Sequence, residues 1–306
     1  VYYISKAPTP SYLMKVMQDV RPTAMLTVPL IIEKVYKGNI VPMLRKSPFL
    51  HWMDQHMHRL LCLLVGRRMV KTFGGRMRFF GIGGAKLDVN VERFLHEARF
   101  PYYIGYGLTE CAPLLTYAKW YKAKVGSCGR PIEGCEIKIN SDDPKNVPGE
   151  LLVKGMNVFL GYYKNEEATA ASFTEDGWFR TGDMGVIDDE GFVFLRGRSK
   201  CMILGPSGQN IYPEEIEAVI NNVSYVVDSL AIEDEGGITA LIYPDYHQAE
   251  LDGISRAQLM ERINASLPEI NKEIPNYARI RKIEFMPEDF ERTPKKSIKR
   301  YLYQRS

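Results

Sequence analysis

Tyr102-Tyr103-Ile104-Gly105-Tyr106-Gly107-Leu108-Thr109-Glu110 is the stretch from which the rest of the chain is read. Its first half is aromatic and β-branched, the composition of a buried strand. Its second half is a tight glycine-containing loop that ends in a hydroxyl and a carboxylate. Open α/β sheets bind ligands at strand ends of this kind. Gly105 and Gly107 allow backbone to approach a ligand closely. Tyr106 suits stacking on a flat ring, Thr109 suits donation to a phosphate oxygen, and Glu110 suits a hard cation such as Mg²⁺. Taken alone, the stretch reads equally well as a strand followed by a turn.

Working outward, the chain adds Pro148-Gly149-Glu150-Leu151-Leu152-Val153-Lys154-Gly155 and Gly161-Tyr162-Tyr163. Trp178-Phe179-Arg180-Thr181-Gly182-Asp183 and Leu195-Arg196-Gly197-Arg198-Ser199-Lys200 follow. In this order and spacing the set resembles the adenylate-forming superfamily of acyl-CoA synthetases, adenylation domains and luciferases. The resemblance runs from about Val1 to Arg300. Arg21-Pro22-Thr23, Val28-Pro29 and Glu33-Lys34-Val35-Tyr36 lean toward its long-chain fatty acyl-CoA synthetase branch.

At 306 residues the chain is long enough for a large core and two domains. A formal charge of +3 is too small to argue for nucleic acid. The longest apolar run, Leu60–Val65, is far short of a membrane span and reads as part of a buried helix. Cys62, Cys111, Cys128, Cys135 and Cys201 form no C-x-x-C pair, which suggests reduced thiols and a cytoplasmic setting. Val1-Tyr2-Tyr3-Ile4 reads like a strand already under way. The expectation is therefore the C-terminal portion of a longer protein, truncated at its N-terminal side.

Residues 1–40 alternate short strands with a helix at Tyr12–Val20, and residues 31–72 read as mostly helical. His51, His56 and His58 tempt a metal reading. Their spacing fits no recognisable site and no cysteine or acidic cluster visibly completes it, so a helix surface is the expectation. Arg78–Ile82 is a second buried strand, ending in Gly83-Gly84-Ala85 ahead of a helix from Asp88. Residues 119–199 are β-rich, with turns at Asp142-Asp143-Pro144 and Asp188–Gly191. After a seam near Arg198–Lys200 come a helix opened by Pro213, strands near 225–232 and 238–243, a helix near 255–270 and a strand near 280–286. The expected fold is an α/β body with a β-rich, barrel-like subdomain and a smaller α+β C-terminal domain. Residues 1–199 would form the adenylate-binding part and residues 200–306 a mobile domain.

The resemblance implies specific chemistry. A carboxylate attacks the α-phosphate of ATP, pyrophosphate leaves, and the acyl-adenylate then passes its acyl group to a thiol. Catalysis of this kind is mostly positioning and charge balance. Gly83, Gly84 and Ala85 would line the adenine and acyl pocket. Tyr106 would stack on adenine beside Gly107, Thr109 would contact phosphate, and Glu110 would bind Mg²⁺. Asp183 suits a ribose anchor, the plain alternative being a turn aspartate. Arg198 suits ribose or phosphate, the plain alternative being a surface salt bridge. Lys200 would be the hinge between two orientations of the C-terminal domain. The loop holding Gly205, Gly208, Gln209 and Asn210 would face CoA; otherwise it is a flexible turn.

Two departures stand out. The family's phosphate loop does not occur in this sequence. The family's terminal P-x-T-x-x-x-K-I-x-R pattern is offset, leaving Ser297 at the catalytic lysine position with Lys296 beside it. Lys296 is the expected substitute. The reading is thus a long-chain fatty acid–CoA ligase using ATP, Mg²⁺ and CoA, with this chain alone impaired. Peripheral membrane contact is compatible with a lipid-soluble acid; the oligomeric state is open. One rival is an acyl-AMP ligase that loads a carrier protein. The other, motivated by Ser297, is a non-catalytic nucleotide- or acyl-binding module.

Overall fold

A computed structural model describes residues 10–205, 208–293 and 297–305. The chain divides into two compact units. The first holds the residues up to Thr181 and Gly185–Leu195; the second holds Gly182–Met184 and the residues from Arg196 onward.

In the first unit, α1 (Pro10–Val20) leads to β1 (Ala24–Thr27). Then come α2 (Pro29–Val35), a π-turn at Tyr36–Ile40, α3 (Val41–Lys46), α4 (Pro48–His56) and α5 (His58–Thr72). Pro29 and Pro48 each open their helix, where the missing N–H costs nothing. Ser47 caps α4 by accepting from Leu50 N at 3.3 Å. The break between α4 and α5 is Met57, whose φ of −136° is not helical.

β2 (Phe79–Ile82), α6 (Val89–Glu97) and β3 (Tyr102–Tyr106) follow. The α6 helix begins where the sequence predicts, because the Asp88 carboxylate accepts from Asn90 N at 2.8 Å and Val91 N at 3.3 Å. β1, β2 and β3 are parallel, with Phe80 opposite Tyr102 and Ile82 opposite Ile104. β4 (Thr116–Lys119) and β5 (Arg130–Pro131) extend the sheet in antiparallel sense. The core under this sheet joins Phe73, Phe80, Ile82, Leu95, Phe100, Tyr102 and Ile104. Phe80 and Phe100 meet edge-on at 5.1 Å. Each such fully buried ring contributes roughly 1.5–3 kcal/mol of apolar transfer.

A second sheet follows the order β6 (Cys135–Asn140), β7 (Gly149–Gly155), β8 (Phe179–Ile187), β9 (Val193–Arg198). A short helix, α7 (Glu166–Ala171), interrupts this β-rich stretch. The expected β-rich subdomain is present, without closure into a barrel. Among the described residues this sheet is open, with β6 and β9 as its edges. Four strands are too few to close around a core of side chains. Its buried face instead packs Leu151, Val153, Phe179 and Val193 with Tyr106, Cys111 and Leu115.

In the second unit, β10 (Ile203–Leu204) and β11 (Asn210–Ile211) form a hairpin ahead of α8 (Pro213–Ile220). β12 (Val226–Asp234) turns antiparallel into β13 (Gly237–Pro244) through Glu235 and Gly236, both at positive φ. α9 (Tyr246–Leu251), α10 (Arg256–Ala265) and α11 (Leu267–Glu273) lead to β14 (Ile280–Phe285), parallel to β13. The single helix expected near 255–270 is two. Pro268 cannot donate to the preceding turn, so the helix restarts at Leu267. Ile216, Ile220, Ile242, Leu259 and Ile270 share the core of this unit.

Candidate functional site

The residues singled out by sequence fall into two groups, one in each unit. In the first unit, the parallel register of β2 and β3 delivers Gly83-Gly84-Ala85 and Gly107–Glu110 to the same edge of the sheet. Gly83 N donates to Thr27 O at 3.2 Å, which ties that turn to β1. After β3 the chain passes through Gly107 and Leu108 into one turn of 3₁₀ helix, Thr109–Cys111. Gly107 is required by the protein's own backbone. A Cβ there would stand 1.7 Å from the Pro113 carbonyl oxygen. The close approach at Gly107 is thus made by Pro113, which folds the loop back on itself.

Tyr106 is buried at 9% exposure among Cys111, Leu115 and Leu151. Thr109 is exposed and Glu110 half-buried. The Tyr162 hydroxyl donates to Glu110 Oε1 at 3.1 Å, and Phe159 N donates to the Glu110 carbonyl at 2.7 Å. Asn157 Nδ2 donates to the carbonyls of Cys111 at 3.0 Å and Leu114 at 2.9 Å. The loop is therefore clamped from both sides. Sequence reading gave Tyr162 and Asn157 no individual role, and Glu110 lies 52 positions from Tyr162. A half-exposed carboxylate fits Mg²⁺, which takes one or two carboxylates alongside substrate phosphates.

In the second unit, Arg198 Nε donates to Asp183 Oδ1 at 2.8 Å. The Asp183 side chain is 9% exposed and that of Arg198 52%. Lys200 is exposed in a 3₁₀ turn, Ser199–Cys201. The loop between β10 and β11 is closed by Gly205 N donating to Gln209 O at 2.8 Å and Gly208 N to Gly205 O at 2.9 Å. Gly205 is buried; Gly208 and Asn210 are exposed. Gly205 and Gln209 line a cavity of about 480 Å³ shared with Glu233, Tyr277, Arg279 and Arg281. The buried Gln209 Oε1 has no hydrogen-bond partner among the described residues.

Lys296 lies outside the described residues. On either side of it, Thr293 N donates to Ser297 O at 2.8 Å, and Arg292 pairs with Ile298. Ser297 is exposed. Both flanks are anchored. Arg292 binds Asp228 at 2.8 Å and Asp289 at 2.9 Å. Arg300 pairs with the buried Glu217, whose carboxyl burial pushes up to about 7 against the pull of that guanidinium.

Outside both groups lie the three histidines of α4 and α5, on exposed helix positions. His58 meets Cys62 and Glu97, while His51 bonds Gln55 and His56 bonds the Trp52 carbonyl. Cys62 was legible at i+4; Glu97, 39 residues on, was not.

The family model described as AMP-binding enzyme matches residues 1–163, and the AMP-binding enzyme C-terminal domain matches residues 202–305. The long-chain-fatty-acid–CoA ligase FadD15 of Mycobacterium bovis is 29% identical over a 330-residue alignment, covering 94% of this chain and 54% of that protein. The 2-succinylbenzoate–CoA ligase of Bacillus pumilus is 37% identical over 196 residues, 60% of this chain and 38% of that one. ATP-bound MatB from Rhodopseudomonas palustris superposes with a TM-score of 0.69 at 25% identity, over 97% of this chain and 52% of that one. O-succinylbenzoate coenzyme A synthetase of Bacillus subtilis, solved with ATP and magnesium, shares the fold: TM-score 0.70 at 23% identity, over 96% and 54%. The chain spans about half the length, or less, of these curated relatives.

Proposed function

The chain belongs to the AMP-binding enzyme family, and from that premise we propose that it is the adenylate-handling part of a long-chain fatty acid–CoA ligase. The observation that carries the reading is the shared sheet edge. Parallel β2 and β3 bring the Gly83–Ala85 turn and the clamped Thr109–Glu110 turn to one place. The first step joins a carboxylate oxygen of the acid to the α-phosphorus of ATP and breaks the bond to pyrophosphate. The second joins a CoA sulfur to the acyl carbon and releases AMP.

In this reading Gly83, Gly84, Ala85, Tyr106 and Gly107 form the adenine side, and Thr109 donates to phosphate. Glu110, oriented by Tyr162, would hold Mg²⁺. Mg²⁺ supplies neutralisation of phosphate charge. Asp183 accepts from ribose and Arg198 contacts ribose or phosphate, their mutual bond fixing both side chains. Lys200 is the pivot of the mobile part, residues 200–306, and residues 1–199 are the adenylate-binding part. Gly205, Gly208, Gln209 and Asn210 form the CoA side; the neighbouring Arg279 and Arg281 suit a phosphorylated ligand. Lys296 supplies the catalytic ammonium, in a segment whose flanks Arg292 and Arg300 hold. The long-chain class is supported by the extent of the FadD15 match, 94% of this chain. An aryl acid is the second reading, supported by the higher identity to 2-succinylbenzoate–CoA ligase.

The test is ATP–pyrophosphate exchange on a chain extended upstream to the length of its relatives, with acids from acetate to palmitate and with 2-succinylbenzoate. Exchange peaking with a long acid is expected. A peak with the aryl acid selects the second reading. ATP binding with no exchange for any acid overturns the ligase and leaves a nucleotide-binding module.

A further inference from the structure

The turn between α4 and α5 puts His58 at the first position of α5, with Cys62 one helical turn behind it on the same face. Glu97, the last residue of α6, comes to meet them. That meeting depends on how tightly the two helices pack. Gly66, one turn beyond Cys62, has the Ala98 carbonyl oxygen where a Cβ would stand, only 2.2 Å away. A larger residue at 66 would push the end of α6 off α5 and carry Glu97 with it.

The three donor atoms form a small triangle. His58 Nε2 is 2.8 Å from Glu97 Oε2, Cys62 Sγ is 3.5 Å from His58 Nε2, and Cys62 Sγ is 3.8 Å from Glu97 Oε2. A circle through three atoms at these separations has a radius of about 2.0 Å, close to the bond lengths of roughly 2.0–2.3 Å that zinc makes to nitrogen, oxygen and sulfur. An ion slightly above the plane of the triangle would therefore reach all three ligands with little movement. The other ring nitrogen, His58 Nδ1, lies 2.7 Å from Asp54 Oδ1. A carboxylate on the far nitrogen of a ligating histidine fixes the ring and turns its second nitrogen toward the metal.

We propose that His58, Cys62 and Glu97 bind a Zn²⁺ ion, with Asp54 orienting His58 and water in the outward fourth position. The donor set chooses the metal. A thiolate and an imidazole select a borderline-soft divalent ion and reject Mg²⁺ and Ca²⁺. The charges also suit it, since Cys62 thiolate and the carboxylates of Glu97 and Asp54 face a doubly positive ion. Cys62 is 1% exposed while the His58 side chain is 49% exposed, so the site is walled on the protein side and open on the other. Binding breaks the Cys62 S–H and His58 Nε2–H bonds, and both protons leave to solvent. The ion would pin the start of α5 to the end of α6, the helix that leads into β3. This site owes nothing to the adenylation reading.

Cobalt is the probe. Co²⁺ titrated into the metal-stripped chain should bind one equivalent and give a thiolate-to-cobalt charge-transfer band, which Zn²⁺ abolishes by competition. Cys62→Ser should lose the band, and His58→Gln, at an exposed position that leaves the core intact, should weaken Zn²⁺ binding about 100-fold or more. Asp54→Asn should weaken it about 10- to 100-fold while keeping the band. Zn²⁺, but not Mg²⁺, should raise the melting temperature. The proposal is overturned if no band forms. It is also overturned if the band survives Cys62→Ser, which would assign it to Cys111, Cys128, Cys135 or Cys201. Zn²⁺ affinity unchanged in His58→Gln overturns it as well, leaving a hydrogen-bonded bridge between Asp54, His58 and Glu97.

Discussion

Arg198 Nε donates to Asp183 Oδ1 at 2.8 Å, and the two residues differ sharply in exposure. The aspartate is nearly sealed while the arginine is half in solvent. A carboxylate held this way has a fixed plane, which suits a group that must accept from paired hydroxyls. Asp183→Asn keeps the shape and removes the charge. Under the proposed reading, ATP affinity should fall about 10- to 100-fold, the scale of one or two charge-assisted bonds. The melting temperature should fall by only a few degrees, because asparagine keeps the shape of the buried side chain and the guanidinium it would leave unpaired is half in solvent. Calorimetric titration of ATP and a thermal melt measure both. Unchanged affinity would reduce Asp183 to a support for Arg198.

Glu110 and Tyr162 give a second separation of roles. The phenol only orients the carboxylate that would meet Mg²⁺. Tyr162→Phe should raise the Mg²⁺ concentration for half-maximal exchange several-fold and leave the rate at saturating Mg²⁺ within about twofold, since a neutral hydrogen bond is worth about 1 kcal/mol. Glu110→Gln should lower exchange about 10²- to 10³-fold at every Mg²⁺ concentration, the scale for removing one electrostatic group at a reacting phosphate. Equal effects from both variants would argue against a metal-binding role for Glu110.

Gly107 and Gly84 should respond differently to alanine. At Gly107 the new methyl meets the Pro113 carbonyl at 1.7 Å, so backbone must move and carry Thr109 and Glu110 with it. A loss of about 2–4 kcal/mol is expected, together with loss of ATP binding. At Gly84 the nearest atom is a Val28 methyl at 3.9 Å, and only the φ of +88° resists. The cost there should be about 1 kcal/mol. Urea unfolding of both variants checks the ordering, and a Gly107→Ala chain of normal stability would contradict it.

The local elements were legible because each is specified by neighbours in sequence. Tyr102–Tyr106 alternates buried and half-buried positions as its composition predicts. Pro213 opens α8 for the reason read from the residues alone, and α6 starts near Asp88 as expected, with the Asp88 carboxylate as its cap. Pro268 was equally visible in the sequence, and it marks where the single helix expected near 255–270 restarts. What could not be read is pairing across long separations. The open order β6-β7-β8-β9, the Tyr162 clamp on Glu110, and Glu97 beside His58 all depend on which distant segments pack together. The short α7 was missed because its Asn165 cap and two acidic residues sit inside a stretch that otherwise reads as turns.

Glu92 gives the chain a pH response that can be measured without any ligand. It is 1% exposed and accepts from Gly126 N at 2.8 Å and the Tyr102 hydroxyl at 3.2 Å. Burial outweighs those two donors and pushes its carboxyl from an ordinary 4.5 up to about 7. Between those values the folded chain keeps a proton that the unfolded chain has lost. Stability from this group is therefore complete below about pH 4.5 and is lost as pH rises to about 7, by a total of the order of 3 kcal/mol. Glu92→Gln holds the neutral form at every pH, and the Tyr102 hydroxyl can turn to accept from the new amide. The variant should melt with wild type near pH 4.5 and several degrees above it at pH 8. Glu217, raised to about 7 by burial beside Arg300, adds a slope of the same sign. The variant should thus keep part of the pH dependence. A Glu92→Gln shift of equal size at both pH values would mean that Glu92 acts through packing alone, with no proton held by the fold.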